Sequence, residues 1–257
     1  MKKLLIVLLA FTFIDASALE FTMKPKGRVS ELTVEIQNVF SDMFIEGDNT
    51  GEIKIEADDF QGTPARAEGL RPLSALGPDN SGIGLFINQT GNSITISGTH
   101  RNKHDTDYRI SLPANIKLKI NYGGFRSNDI FVRGMSNEIE IKSQVGDLVL
   151  KDVSGPIIAS TLSSDIQVVF TTLNQSSPTS ITSISGDIDI TLPEDSRGDF
   201  SMSSVSGEIY TNLDFEISRK DGPRWYGAGI VSNSKLNGGG VEFTIKSVSG
   251  DIYIRKN

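Results

Sequence analysis

The chain contains no cysteine. That excludes disulfides, zinc thiolates and thiol nucleophiles at once, and it removes the attachment residue of a bacterial lipoprotein. Histidine is almost missing too. His100 and His104 are the two in the sequence, four residues apart in Thr99-His100-Arg101-Asn102-Lys103-His104. That spacing makes a metal pair on a helix. Here it lies between two expected strands and lacks the Glu of a metalloprotease motif, so it reads as a solvated hairpin tip and no metal site is assigned. Gly-x-Ser-x-Gly, phosphate-binding Gly loops and dinucleotide fingerprints are absent, which leaves no catalytic residues or cofactor to name. Acidic pairs such as Asp58-Asp59 and Glu194-Asp195 occur, but nothing in the sequence brings two of them together across the chain, as polysaccharide hydrolysis requires.

Long apolar runs are also lacking, with one exception at the start. Lys2 and Lys3 precede an apolar run from Leu4 to Ile14, and Ala16-Ser17-Ala18 forms a small-x-small cleavage site before Leu19. The run is well short of the roughly 20 residues that span a bilayer. Residues 1–18 are therefore expected to be a signal peptide, with the mature protein exported to the periplasm or cell surface and no integral membrane segment after cleavage. Cleavage removes Lys2, Lys3 and Asp15, leaving 23 basic and 31 acidic residues and a net charge of −8. Such a balance argues against nucleic acid or anionic lipid as the main partner.

What is present is repetition. Asn128-Asp129-Ile130, Asn137-Glu138-Ile139, Gly146-Asp147-Leu148, Gly155-Pro156-Ile157 and Ser164-Asp165-Ile166 follow one another at nine-residue steps. The phrase returns at Gly186-Asp187-Ile188, Gly207-Glu208-Ile209 and Gly250-Asp251-Ile252, at spacings of 22, 21 and 43. Nine residues hold one strand and one tight turn, so each unit must stack on neighbours to bury its apolar side. Two halves make one coil. The expected fold class is all-β: a flattened parallel β-solenoid of about 18–22 residues per coil, two sheets face to face. Residues 19–257 form one such domain, with irregular coils to about 115 and regular repeats over 116–257. Positions 128, 146, 164, 186, 207 and 250 share one edge, and 137 and 155 the other. The spacing of 43 implies a degenerate coil near Gly227-Ala228-Gly229-Ile230.

Alternation sets the facing. Ile130/Val132, Ile139/Ile141, Leu148/Leu150, Ile166/Val168, Ile188/Ile190 and Ile252/Ile254 point inward, while Phe131, Glu140, Val149, Gln167, Asp189 and Tyr253 point out. A second inward column is expected at Met135, Val153, Leu162, Ile184, Val205 and Val248. Upstream strands are expected at 32–39, 52–56, 84–88, 93–97 and 108–112, with a loop over 60–81. The corner phrase Ser-x-Ser-Gly-Asp/Glu at 183–187, 204–208 and 247–251 suits a sharp turn, because Gly accepts the left-handed conformation and Ser and Asp bond nearby amides.

Several of these segments resemble one family. Tyr108 to Pro113, Gly146-Asp147-Leu148 leading into Val153-Ser154-Gly155-Pro156, Ser185 to Pro193, Ser206 to Thr211, and Asn237-Gly238-Gly239-Gly240 to Lys256 are similar to the toast-rack family of bacterial "putative adhesins". The resemblance implies a β-solenoid and a cell-envelope location, and it carries no catalytic residues. The calcium-binding β-roll of secreted toxins is a poorer match. Asp129, Asp147, Asp165, Asp187 and Asp251 immediately precede the inward residue and the paired glycines are missing; weak calcium binding by exposed edge carboxylates stays open.

The repeat fails from Lys220 to Gly240, where Arg224, Trp225 and Tyr226 stand together and Trp225 is the one tryptophan. Aromatics beside Arg suit sugar stacking or protein contact, and loops that break a solenoid often carry function. Equally, Trp225 and Tyr226 could cover an apolar coil edge. The resulting expectation is a non-enzymatic exported β-solenoid: an adhesin or binding module for an unidentified glycan or envelope protein, with Arg224, Trp225 and Tyr226 as candidate binding residues. Two alternatives are a self-assembling envelope scaffold, for which Arg255-Lys256-Asn257 forms only a short charged cap after the last strand, and a solenoid carbohydrate-active enzyme.

Overall fold

The computed structural model describes residues 19–62, 65–70, 77–99, 106–123, 128–216, 224–226 and 229–257, with backbone alone at 224–226. Residues 1–18 and the His100–His104 hairpin lie outside the described residues. So does part of the long loop over 60–81.

In chain order the amino-terminal strands are β1 (Leu19–Met23), β2 (Thr33–Gln37), β3 (Met43–Asp48), β4 (Ile53–Asp58), β5 (Leu85–Thr90), β6 (Ser93–Gly98), β7 (Asp107–Pro113) and β8 (Lys117–Tyr122). The regular coils follow as β9 (Ile130–Arg133), β10 (Ile139–Val145), β11 (Leu148–Val153), β12 (Ile157–Ser163), β13 (Ile166–Phe170), β14 (Thr179–Ser185) and β15 (Ile188–Leu192). The chain ends with β16 (Gly198–Ser204), β17 (Ile209–Thr211), β18 (Phe215–Glu216), β19 (Arg224–Tyr226), β20 (Gly229–Leu236), β21 (Glu242–Ser249) and β22 (Ile252–Lys256). Apart from two short 3-10 turns, the described residues hold no helix. The expected upstream strands all form; β1, β3 and β8 were not anticipated.

These strands make two sheets. Sheet I runs β1-β4-β7-β3-β9-β11-β13-β15-β22-β17, and sheet II runs β18-β20-β16-β21-β14-β12-β10-β8-β2-β6-β5, with β19 on β20. The corner phrases at 128, 146, 164, 186, 207 and 250 all lead into sheet I, and those at 137 and 155 into sheet II, so the fold is the flattened β-solenoid that the spacing implies. Between the sheets lies one hydrophobic cluster, stacked in columns such as Ile130, Leu148, Ile166, Ile188 and Ile252, each at most 1% exposed. At about 4.8 Å per strand, the ten strands of sheet I extend roughly 43 Å.

The order of coils is not the order of the sequence. The last coil, β21 and β22, lies between the coil of β14 and β15 and that of β16 and β17. At the other end β2 and β3 lie one coil in, beneath β6 and β7. The terminal coils are thus interior. This corrects the reading of β22 as a terminal edge, and it accounts for the spacing of 43. Gly229 and Ile230 open β20, which runs antiparallel to β16 as a cover strand and not as a degenerate coil. Antiparallel strands also finish the other end, β4 and β1 on β7 and β5 on β6.

The second inward column is only partly formed. Met135 and Val153 are fully buried, but Leu162, Ile184, Val205 and Val248 are 45–52% exposed. The cause is strand parity. In β12, β14, β21 and β16 the inward side chains near the corner are Thr161, Ser183, Ser247 and Ser204, which turns the aliphatic neighbours out. Ser183 donates to the Ser164 carbonyl and Ser204 to the Gly250 carbonyl, while Gly207 N–H donates to Ser204 Oγ. In two of the three corner phrases the first Ser, Ser183 or Ser204, is therefore an internal brace; the third, Ser247, is buried with its hydroxyl unpaired. At Val153 the parity is reset by Asp152, whose φ of 55° inserts a left-handed residue where the ladder shifts register.

A truncation tests the coil order. Ending the chain after Gly250 removes Ile252 and Ile254, both fully buried, and leaves β15 and β17 without the strand between them. With each isoleucine contributing about 1.5–3 kcal/mol, the expected result is loss of a cooperative thermal transition by circular dichroism. A shortened but cooperatively melting rod would show instead that β22 is a dispensable edge.

Candidate binding face

One corner of the solenoid is lined by carboxylates. Asp129 N–H donates to Asp42 Oδ1, Asp147 N–H to Asp129 Oδ1 and Asp165 N–H to Asp147 Oδ1, at 2.9, 2.9 and 3.2 Å. The series continues with Asp187 N–H to Asp165, Asp251 N–H to Asp187 and Glu208 N–H to Asp251, at 2.8, 2.8 and 2.9 Å. Each acid thus receives the amide of the acid on the next coil. At the amino-terminal end the row continues through Asp107 to Asp58. Burial, then the neighbouring Asp42 and Asp58, hold the Asp107 carboxyl above the ordinary aspartate range. The sequence brings no two carboxylates together across coils; the register does.

Beside this row, the outward positions of sheet I form a second one. Arg109, Phe44, Phe131, Val149, Gln167 and Asp189 stand in register on successive strands, followed by Tyr253 and Tyr210. Phe44 and Phe131 stack at 4.9 Å between centroids with planes 2° apart, and the Arg109 guanidinium lies 5.4 Å over the Phe44 ring. Tyr253 and Tyr210 stack at 5.3 Å and 13°. The Tyr253 hydroxyl donates to Asp251 Oδ2 at 3.0 Å, and that bond is the first cause raising its phenol above the usual range.

A third row carries Ser111, Glu46, Arg133, Lys151, Val169, Thr191 and Arg255. Arg255 makes a two-pronged pair with Asp189 at 2.7 and 2.9 Å and lies 5.2 Å over the Tyr253 ring. Arg133 pairs with Asp152 at 2.9 Å and Arg109 with Asp58 at 3.0 Å. Around the phenylalanine pair the face sinks into an open groove of about 400 Å³, floored by Phe44, Phe131 and Val149 and walled by Arg109, Arg133, Lys151, Glu46 and Glu56. None of Asp42, Asp58 or Asp107 lines it.

Sheet II presents a different exterior. Glu140 lies between Lys142 at 2.9 Å and Lys119 at 3.6 Å, both holding its carboxyl below the usual range, with Lys142 the stronger cause. At its carboxy-terminal side Leu162, Ile184, Val248 and Val205 form an exposed aliphatic ladder. The expected binding residues Arg224, Trp225 and Tyr226 are the backbone of β19, paired with Val231, Ile230 and Gly229 at the edge of this sheet. They stand away from the groove. Phe44 escaped notice because its strand was not anticipated. Phe131 and Tyr253 were read as outward, but nothing local marked them as members of one row. Among the described residues no group of three or more His, Cys, Asp or Glu is arranged to hold a metal ion, and no helix is long and apolar enough to cross a membrane.

Residues 115–255 match the Toastrack DUF4097 family. The chain is similar in structure to a "putative cell adhesion protein" from Clostridium sporogenes, with 13% identity over 93% of this chain and 99% of that one and a TM-score of 0.43. It is similar to a "putative adhesin" from Bacteroides fragilis, with 12% identity over 95% and 98% and a TM-score of 0.40. No curated protein matches it.

Two substitutions test the corner. Asp165→Ala deprives the Asp187 amide of its acceptor and is expected to cost roughly 1 kcal/mol in urea unfolding. Asp165→Asn keeps Oδ1 as the acceptor and removes one charge from the acidic row, so it should be neutral or stabilising. An equal loss in both variants would refute an acceptor role. For Asp107, a folded-state pKa raised above the unfolded one means that ionisation opposes folding. The penalty is absent below the unfolded pKa and complete above the folded one. Asp107→Asn is expected to raise the melting temperature at pH 7 and to lose that advantage near pH 3; an advantage independent of pH would refute the electrostatic cause.

Proposed function

The chain belongs to the toast-rack family, and from that premise we propose that it is an exported, non-enzymatic β-solenoid acting by surface contact, an adhesin or binding module at the cell envelope. The observation that carries this reading is the exterior of sheet I. It holds a groove with an aromatic floor and charged walls, uncovered by any other described element. Partly exposed rings beside fixed ion pairs are what a contact surface needs, because rigid aromatics give area at low entropic cost and the pairs give direction. The signal-peptide pattern expected over residues 1–18, a short apolar run after Lys2 and Lys3 followed by Ala16-Ser17-Ala18, supports the reading of export to the periplasm or cell surface.

The alternatives fit less well. A filament-forming scaffold needs terminal coils ready to accept parallel strands, whereas β1, β4 and β5 finish one end antiparallel and β20 does so for sheet II at the other. A polysaccharide-cleaving enzyme needs an acid and a base facing a bound chain; of the two carboxylates that line the groove, Glu46 and Glu56, the second is held by Lys54 at 2.6 Å, and the raised Asp107 carboxyl lies outside it. Arg224, Trp225 and Tyr226 remain a second proposed contact, at the edge of sheet II.

The test is co-sedimentation of the purified 19–257 chain with envelope fractions, alongside sedimentation velocity over a wide concentration range. Saturable retention by envelope with a concentration-independent monomer is expected. Growth into filaments without envelope retention would favour the scaffold, and release of sugars from envelope polysaccharide would favour the enzyme. Trp225→Ala and Tyr226→Ala are each expected to weaken retention several-fold if β19 contributes; unchanged retention with the fold intact removes β19 from the site.

A further inference from the structure

Resting on the binding-module reading, we infer that the aromatic row of sheet I is the binding track for an uncharged glycan chain laid along the solenoid axis, across the strands. The row has two stacked aromatic platforms, Phe44 with Phe131 and Tyr253 with Tyr210. Four strand spacings separate Phe131 from Tyr253, about 19 Å. Between them stand Val149, Gln167 and Asp189, which are small or polar and leave the track unobstructed.

The chemistry beside the platforms selects the ligand class. A sugar ring has a C–H face that stacks on an aromatic ring and hydroxyl edges that both donate and accept hydrogen bonds. The track offers this in cross-section: rings along the centre, carboxylates along one side, and Arg133, Lys151, Thr191 and Arg255 along the other. A protein partner would ask for a different surface. Protein interface cores favour aromatics and Arg but are depleted of acidic residues, whereas here each aromatic pair stands beside an Arg that is held by an aspartate: Arg109 with Asp58 at one platform, Arg255 with Asp189 at the other.

The charge of the ligand follows from the corner. An unbroken carboxylate row runs beside the track from Asp58 to Glu208, on a mature chain of net charge −8. Uronic-acid and sulfated polymers would meet repulsion along their whole length. An uncharged chain meets none, and its binding should be nearly insensitive to salt.

Affinity electrophoresis of the 19–257 chain through gels containing dextran, laminarin, galactomannan or hydroxyethylcellulose, with polygalacturonate as the anionic control, tests this. Retardation is expected with at least one uncharged polymer and not with polygalacturonate. Binding to that polymer should change less than about two-fold between low and high salt. Phe131→Ala should weaken it at least ten-fold, and Phe131→Leu, which keeps the apolar volume without the ring face, should do the same if the alanine variant fails to fold. Tyr253→Ala should weaken long chains and leave short oligosaccharides of the same sugar unaffected, because only a long chain reaches both platforms.

No retardation by any uncharged polymer, retardation untouched in a folded Phe131 variant, or preference for polygalacturonate overturns the inference. Envelope retention separates this from the broader reading. If a folded Phe131→Leu chain still binds envelope and protease treatment of the envelope abolishes that, the partner is a protein; the glycan track falls and the binding module stands. If the wild-type chain binds neither polymer nor envelope, both fall.

Discussion

The structure depends on how closely one coil can approach the next at its acidic corner. A β-carbon added at Gly146 would fall inside the carbonyl of Asn128, and the same collision recurs for Gly186 on Ser164, Gly250 on Gly186 and Gly207 on Gly250. Backbone therefore stacks on backbone with no side chain between. Gly146, with φ of 98°, also adopts a conformation that other residues resist. That contact sets the separation of coils at the corner. The adjoining Asp then lies at the height where its Oδ1 meets the next amide, the inner Ser183 and Ser204 reach a neighbouring carbonyl, and the apolar columns of both sheets close to van der Waals contact. Ser-x-Ser-Gly-Asp is thus a description of one corner: inward residue, outward residue, strand end, close approach and acceptor.

Much of this architecture was legible because it is local. A nine-residue period and a two-residue alternation decide which residues turn, which face inward and which sheet each phrase enters, and for β9 to β15 those decisions survive in the structure. What was not legible depends on contacts distant in sequence or on single backbone residues. Nothing in Gly250-Asp251-Ile252 distinguishes a coil at the end of a stack from one inserted between two others. The parity of Leu162 and Ile184 cannot be told from that of Val153 without the left-handed Asp152. Phe44 and Phe131, 87 positions apart in the sequence, become neighbours only because β3 docks on β9 instead of on a strand next to it in the chain.

The two exteriors of the rod show why a repeat can carry a site at all. The corner rule dictates residues at the acidic position and the inward positions but says nothing about the outward ones between them. On sheet II those positions hold Ser, Thr, Lys and Glu over β2, β6, β8 and β10, with Lys119, Glu140 and Lys142 linked in a solvated ion-pair cluster, of a kind that contributes little to stability. On sheet I the equivalent positions include, among Val149, Gln167 and Asp189, the rings of Phe44, Phe131, Tyr253 and Tyr210, which stack across strands, and Arg109 and Arg255, whose guanidiniums lie over ring faces. Folding would be served as well by threonine there. The acidic row raises the same point: an asparagine amide oxygen could accept each corner amide, so the fold needs the acceptor and not the charge.

Inserted terminal coils also answer the problem posed by a chain with no cysteine. A solenoid stacked in sequence order frays from its ends, because each terminal coil contacts a single neighbour. Here the first and last full coils contact a neighbour on both sides, and at the carboxy-terminal end the outermost positions are taken by strands whose chain continues inward; at the other end β1 stands at the edge of sheet I, paired to β4 alone. Peeling β16 and β17 away cannot release the carboxy terminus, since β21 and β22 remain paired to β14 and β15. Extracting β22 requires breaking two parallel ladders and exposing Ile252 and Ile254 together. Local opening at the carboxy-terminal end is thereby uncoupled from the loss of that terminus. A disulfide would achieve the same restraint by linking distant segments covalently; this chain does so by the order in which its coils are stacked.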